Sequence, residues 1–488
     1  MTDSNLLTHT EIAKVTSLVE GRSVTLCELR SVADGLTQLY LDRSYITSRA
    51  VLIDQQIIDG VVQIRLIEGF LANIEVEPKH LTHYVESRVR LGARAKLPLN
   101  KERLEDQLRL LKADPLFTNV EASLKPGGLG QSILTVRVNE APVLHTLLTT
   151  DNYSPPSVGS ERLGASAIYR NLTGLGDELS ASYYQSTNSG SKSFDFNYRV
   201  PINPMNGTIQ LRIAPNRSLI TDPAFKAFGI RSKTNLYEVS YRQPLVRTPR
   251  EEFALSTGVA IQDGQTFVFD DIATPFGIGP DAEGQSRTRV LKLGQDYVKR
   301  DPQGALALRS QFSLGLGILN ATENVLPIPD GRFFAWLGQI QRVQQLGVNH
   351  LLIAQADLQL SPDSLLPSQQ FVIGGGQLLR GYRQNVRSGD NGFRLSVEDQ
   401  ITLQRDEAGV PTLQLGPFVD AGRVWNQSNN PNRLSNKTFL VACGLGLIWQ
   451  PMPKLGVRLD YAVPLVRITD QGNNAQDRGF YFSVNYRN

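Results

Sequence analysis

Cysteine is nearly missing from this chain: its 488 residues include two, Cys27 and Cys443. Thiols that far apart supply neither a metal-ligand spacing nor a disulfide framework. Histidine is scarce too, five in all. His80 and His83 have a spacing that places them on one helix face, and a solvated or capping pair accounts for them better than a metal site. No metal and no cofactor is expected. No sign of charge prevails: 50 Lys and Arg against 47 Asp and Glu leave +3, which argues for no nucleic-acid partner. No apolar run approaches the roughly eighteen residues of a membrane helix. The opening MTDSNLLTHTEIAK has no apolar signal core. G-x-S-x-G and H-E-x-x-H are absent, so no catalytic residue is assigned and an enzyme is not expected.

One stretch, FVIGGGQLLRGYRQN (Phe371–Asn385), looks at first like a phosphate loop. It fails that test. The position three after Gly376 is Leu379, no lysine is present, and no helical periodicity follows. The other readings are a flexible surface loop or a loop whose role depends on the rest of the chain.

The length calls for several domains. Residues 1–142 mix helix and strand. Helical periodicity in Glu11–Glu20 and Leu26–Leu41 is followed by the β-rich runs TSRAVLID and VVQIRLIEG. The order then recurs: LANIEVE as a strand, HLTHYVESRVR as a helix, a second helix N-capped by Asn100, and the strands FTNVEASL and SILTVRVNE. The spacing predicts a β-α-α-β-β unit present twice, in 1–69 and 70–142, with the first copy lacking its leading strand.

From Val143 the pattern changes to strict alternation. In SFDFNYRVPI, Phe194, Phe196, Tyr198, Val200 and Ile202 share one face. In GFRLSVEDQITLQ, Phe393, Leu395, Val397, Ile401 and Leu403 oppose Arg394, Ser396, Glu398, Gln400, Thr402 and Gln404, with Asp399 the one violation. A soluble antiparallel sheet would alternate as well. Two features separate the cases. Sixteen such segments fill 143–488, about twenty-two residues for each strand with its connector, which suits tilted strands crossing a bilayer. The connectors also sort by length. NLTGLGD, PINPMNG, KRDPQG, GVNH and QPMPK are short; NRSLITDPAFKAFGIRSK, DGQTFVFDDIATPFGIGPDAEGQS, NATENVLPIPDG and NQSNNPNRLSN are long. Short turns on one rim and long loops on the other mark an outer-membrane barrel. GGGQLLRGY then lies in a long loop, Ser361 to Asp390, between strands eleven and twelve.

Strand thirteen, TLQLGPFVDAGRVW, puts Leu413, Leu415, Val419 and Ala421 on its apolar face. Phe418, Asp420 and Gly422 then face the lumen. Asp420 is either one lumen charge among many or the partner of a loop cation. Arg380 is either solvated or, if its loop folds inward, positioned for a charge-assisted, bidentate pair.

LLRGYR (Leu378–Arg383), with FVDAG (Phe418–Gly422) and GLGLIW…PKLGVRLDYAVPL (Gly444–Leu465), resembles the outer-membrane assembly and secretion superfamily. YITSRAVLIDQQIIDGVVQIRLIEG (Tyr45–Gly69) is most similar to the first polypeptide-transport-associated (POTRA) domain of two-partner secretion translocators of the haemolysin and haemagglutinin type. The resemblance implies a mainly β protein, a 16-stranded transmembrane β-barrel (143–488) preceded by two α+β POTRA domains, 1–69 and 70–142. It implies that Arg380, Gly381 and Tyr382 form a loop lock with Asp420, and that Phe418 and Gly422 belong to the wall motif. It further implies an outer-membrane channel, POTRA domains in the periplasm, that captures an unfolded partner and translocates it to the cell surface. The expected partner is a large β-helical exoprotein, an adhesin or a haemolysin; outer-membrane lipid is the other contact, and the channel is expected to be a monomer. The alternative is a factor that inserts other barrels. Relatives usually begin with a signal peptide, a plugging helix and a linker, so a start shortened at the N-terminus is expected. The last residue is Asn488 where an aromatic is usual, with Tyr486 close by.

Overall fold

The computed structural model describes residues 4–269, 271–435, 437–469 and 472–488, so Asp270 and Asn436 of the long connectors lie outside the described residues. The chain forms two compact units, Met1–Pro142 and Val143–Asn488.

The first unit opens with α1 (His9–Thr16) and α2 (Leu26–Leu41). Both begin with a capping box. Thr8 and Thr25 accept the N–H of Glu11 and Glu28, whose carboxylates accept the threonine N–H groups in return. Ile12, Val32, Leu36 and Tyr40 bury against Ala50 of β1 (Arg49–Leu52) and Ile64 of β2 (Ile64–Ile67). β1 and β2 pair with each other in a two-stranded sheet, and residues 4–8 contribute no strand. The second half follows the β-α-α-β-β order: β3 (Phe70–Glu77), α3 (Thr82–Gly92), α4 (Lys101–Lys112), β4 (Phe117–Gly128) and β5 (Gln131–Glu140). Its sheet runs β3-β5-β4, with β3 parallel and β4 antiparallel to β5. Asn100 caps α4 by accepting the Arg103 N–H at 3.1 Å. Leu71, Val85, Val89, Leu104, Leu134 and Val136 form the core between helices and sheet. His80 reaches Glu140 at 3.0 Å, and no cluster suited to a metal occurs among the described residues. Cys27 and Cys443 are both free thiols.

The second unit is a closed antiparallel barrel of sixteen strands. In chain order these are β6 (Leu144–Asp151), β7 (Arg162–Arg170), β8 (Glu178–Ser186), β9 (Ser191–Pro201), β10 (Thr208–Leu219), β11 (Arg231–Arg247) and β12 (Glu251–Val268). After a two-residue strand on the edge of β12, β13 (Ile272–Ala273), come β14 (Gln285–Asp301), β15 (Gly304–Gly315), β16 (Phe334–Leu346) and β17 (His350–Leu360). A small hairpin, β18 (Phe371–Ile373) with β19 (Arg387–Gly389), stands apart inside the long loop. The wall then resumes with β20 (Asn391–Arg405), β21 (Pro411–Trp425), β22 (Phe439–Met452), β23 (Leu455–Pro464) and β24 (Phe480–Arg487). β24 closes onto β6 from Ser483↔Asp151 to Arg487↔Leu147. Closure leaves no strand edge to face lipid.

Turns 248–250, 302–303, 347–349 and 453–454 line one rim; 152–161, 220–230, 316–333 and 361–390 line the other. Two features depart from the sequence reading. The connection 187–190 is short although it lies on the long-loop rim. β10, β11, β12 and β14 also run on into segments read as loop: Asn216–Leu219 and Asp263–Val268 are strand. Ladder pairing continues there between polar residues, Asn216↔Thr234 and Ser218↔Ser232 in one pair of strands and Asp263↔Arg287 and Gln265↔Gln285 in another. Asp399, which breaks the alternation of β20, sits on the outer face and pairs with His350 at 2.8 Å beside the short turn 347–349.

Candidate functional site: a charged lock inside the barrel

The loop 361–390 folds into the lumen. Its hairpin and the turn after it lay Ile373, Leu379 and Tyr382 on Val424, Leu440 and Ala442, a small dry cluster against the wall. Gly381 makes the closest approach. Its φ is +90°, and a Cβ there would stand 2.8 Å from the Cβ of Ala442. Only glycine meets both demands without strain.

That turn delivers Arg380 to the wall. Asp420 accepts three hydrogen bonds from it: from Nε at 2.8 Å, Nη2 at 2.9 Å and the backbone N–H at 3.0 Å. The side-chain pair is bidentate, the strong geometry for guanidinium and carboxylate. Arg380 is 5% exposed and Asp420 1%. Ser396, opposite Asp420 in the β20–β21 register, donates to it at 2.7 Å. The Phe418 ring lies 3.3 Å from the guanidinium carbon, stacked beneath it.

The site is larger than the pair. Nη1 of Arg380 also donates to Glu398 at 2.6 Å and stands 3.5 Å from Asp460. Arg458 donates to Glu398 at 2.7 Å and to both oxygens of Asp460 at 2.8 Å. Two guanidinium groups thus hold three carboxylates. The neighbouring strand has no side chain in the way: a Cβ on Gly446 would meet Asp460 at 2.5 Å. A cavity of about 550 Å³ opens below, lined by Arg380, Glu398, Arg458, Asp151, Arg162 and Tyr153 among others.

A second anchorage ties the loop to the barrel seam. Arg383 pairs with Asp477 in the connection before β24, at 2.9 Å for its Nη2 contact. Gln476, fully buried, accepts the Gln384 N–H at 2.8 Å and donates to the Ser154 carbonyl at 2.8 Å. Tyr382 donates to the Val441 carbonyl at 2.7 Å, and Tyr481 donates to the Tyr382 carbonyl at 2.7 Å. The loop therefore touches β20, β21, β22, β23 and β24.

All six residues singled out from the sequence, Arg380, Gly381, Tyr382, Phe418, Asp420 and Gly422, meet here; Leu379 rests where a Gly422 Cβ would be, 2.9 Å away. Glu398, Arg458, Asp460, Gln476 and Asp477 were not singled out. The inward parity of Glu398 was visible, and Arg458 and Asp460, two apart on one strand, share a face. Nothing periodic marks Gln476 or Asp477, which lie in a loop.

Residues 130–448 match the family of haemolysin secretion/activation proteins ShlB/FhaC/HecB, and residues 2–69 match the ShlB-type POTRA domain. The heme/hemopexin transporter protein HuxB of Haemophilus influenzae strain 86-028NP is 22% identical over 493 residues, which covers 97% of this chain and 83% of that protein. The outer membrane transporter CdiB of Escherichia coli is 25% identical over 449 residues, covering 87% and 72%. Among solved structures, CdiB from Escherichia coli is similar with a TM-score of 0.76 at 20% identity, over 100% of this chain and 89% of that one. These structural likenesses are likenesses of fold.

Proposed function

We propose, on the premise that the chain belongs to the haemolysin secretion/activation family, that it is an outer-membrane channel of the two-partner kind. Its N-terminal unit takes up an unfolded partner protein in the periplasm, and its barrel passes the partner to the cell surface. One observation carries the reading: a closed barrel whose long loop is turned inward and fastened by ionic hydrogen bonds. Buried contacts of this kind hold the loop at rest, and an arriving chain that offers the same groups new partners, or lets water reach them, replaces them one by one, so the loop can be fixed and still be displaced. Arg380 and Asp420 are the lock, with Gly381 and Tyr382 shaping the turn that presents it and Phe418 and Gly422 its seat.

Capture by strand addition suits the N-terminal unit. β4 is an edge of its sheet and stands exposed from Glu121 to Gly128. An open edge of that length is a liability unless something pairs with it. No nucleotide motif is present, so the partner's folding outside the cell supplies the drive. The cargo that fits is a large β-helical exoprotein, adhesin or haemolysin, carried by a monomeric channel whose apolar face meets lipid.

The test is a deletion of this chain in cells that express its partner. Secreted partner should vanish while the levels of unrelated outer-membrane barrels stay unchanged. A fall in unrelated barrels with secretion intact would replace translocation by barrel assembly.

A further inference from the structure

The outer wall carries three cations in one row. Lys192 on β9 is paired in register with Arg217 on β10, and Arg217 with Lys233 on β11. All three are exposed. Each belongs to the outward set of its strand, the set that holds Phe194 and Phe196 on β9, Ile213 on β10 and Tyr237 on β11. The row lies close to the long-loop rim: Lys192 is the second residue of β9, Lys233 the third of β11, and Arg217 is two from the end of β10.

Like charges directly opposite across a sheet repel. Strands lie about 4.8 Å apart, so the row packs three positive charges within roughly 10 Å. Their own chain does not neutralise them. Among the described residues none of the three is in an ion pair: Arg217 donates to the carbonyls of Asn216 and Thr234 and to Asn235, and Lys233 lies over Phe267. Two acids of the adjoining β12 segment and the connection after it are already engaged, Asp271 by Arg231 at 2.7 Å and Asp263 by Arg289 at 2.7 Å. Below the row, toward the middle of the strands, Tyr183, Phe194 and Phe196 stack along the wall. Aromatic side chains at that level mark the membrane–water boundary of a barrel. The ligand that suits this surface is an amphiphile, anionic where it meets the cations and apolar where it meets the rings.

We propose that Lys192, Arg217 and Lys233 form a binding site for the phosphate groups of a glycolipid in the outer leaflet of the membrane. The proposal rests on the reading of this barrel as an outer-membrane protein with its long loops outside. The phosphates would neutralise the row and fix one lipid on the β9–β11 face, beside strands that rise well past the apolar band.

The experiment uses the full chain in detergent and a fluorescent lipid A carrying both phosphates. Lys192→Gln, Arg217→Gln and Lys233→Gln are made singly and together, with Lys454→Gln on the opposite rim as control. Each lost charge should weaken binding roughly fivefold and the triple change on the order of a hundredfold, with no effect of Lys454→Gln. Fully dephosphorylated lipid A should bind the native chain no better than lipid A binds the triple variant. Undiminished binding by a triple variant that still migrates as a folded barrel would overturn the site and leave the barrel reading standing. Equal binding of dephosphorylated lipid, or inorganic phosphate binding as tightly as lipid A, would overturn it as well. If the triple variant fails to assemble, the exposed pair Lys192→Gln and Lys233→Gln decides. A native chain that does not fractionate with the outer membrane would sink the membrane reading itself, which is a separate outcome.

Discussion

The two units of this chain bury opposite things. In residues 4–142 the buried side chains are mostly apolar, Val85 and Val136 with no exposed surface at all. In the barrel, neighbours on one strand reverse the rule: Val419 is 52% exposed and Asp420 1%. The first unit is held by apolar burial. The second is held by a closed backbone ladder that satisfies its own hydrogen bonds, with lipid standing in for a core. A barrel so closed does not need its interior for stability in the same way, and the interior is free to carry charge. That is why the candidate site is ionic, and why it lies inside.

The largest expected effect sets the two units against each other. Val85→Asp places an unpaired charge in a dry core, a change that belongs among the most destabilising kinds. The N-terminal unit should unfold, read as proteolysis of residues 1–142 with the barrel intact, and secretion should stop. Val419→Asp makes the same chemical change on a face turned to lipid, at a cost of about 2 kcal/mol or less for an acid. The barrel should still assemble, in lower yield. If the barrel variant proves the worse folded of the two, the contrast is wrong.

Next in size come Arg380→Ala and Asp420→Ala. Removing one partner leaves an uncompensated charge, worth about 3–5 kcal/mol in a dry site and less in a wet lumen. Each should impair secretion while heat-modifiable migration on gels shows an assembled barrel. The double variant should be no worse than Arg380→Ala alone, because the guanidinium carries both side-chain hydrogen bonds from the loop to Asp420. Arg458→Met should give a milder defect of the same kind, since Glu398 and Asp460 would keep Arg380 as a cation but lose the second one. Full secretion by both single variants would reduce the lock to an ordinary loop.

How much of this was legible beforehand follows from the same contrast. Period-two alternation shows which side chains point inward, so the parity of Phe418, Asp420 and Glu398 was readable without coordinates. The inward fold of loop 361–390 was not, because nothing local determines where thirty residues between two strands will go. It came only from the resemblance of LLRGYR and FVDAG to a family. Strand lengths were misjudged where pairing outlasts apolar alternation, as in β11 and β12. The network around Arg458 escaped because a charge on a lumen face is common, and its significance depends on three strands meeting. Gln476 carries no sequence signal of any kind.

Gly381→Ala sharpens the comparison at a smaller scale. An alanine at φ +90° is strained by about 1–3 kcal/mol, and its Cβ would press on Ala442. The loop should loosen without losing its charges, giving partial secretion and faster protease cleavage at the turn. Equal secretion and unchanged cleavage would show that the turn has room the geometry denies.

The smallest expected effect lies in the N-terminal unit, where charge sits outside and is shared with water. Glu28 closes the capping box of α2, and its carboxyl is held at about 2, below its ordinary 4.5, first by the Thr25 backbone N–H and then by Arg22 and the Thr25 hydroxyl. A folded-state value below the unfolded one means that the unfolded chain takes up the proton first. The contribution is therefore fully present above pH 4.5, the ordinary value, and is lost as pH falls through about 2. The side chain is partly exposed, so salt screens it and the effect stays small. Hydrogen exchange at the first turn of α2 is the measurement. Between pH 4.5 and 2 the native chain should lose protection at Thr25, Glu28 and Leu29 beyond what a Glu28→Gln variant loses, because glutamine can return the Thr25 hydrogen bond without titrating. Equal loss in both chains would place the acid sensitivity of this helix elsewhere than in its cap.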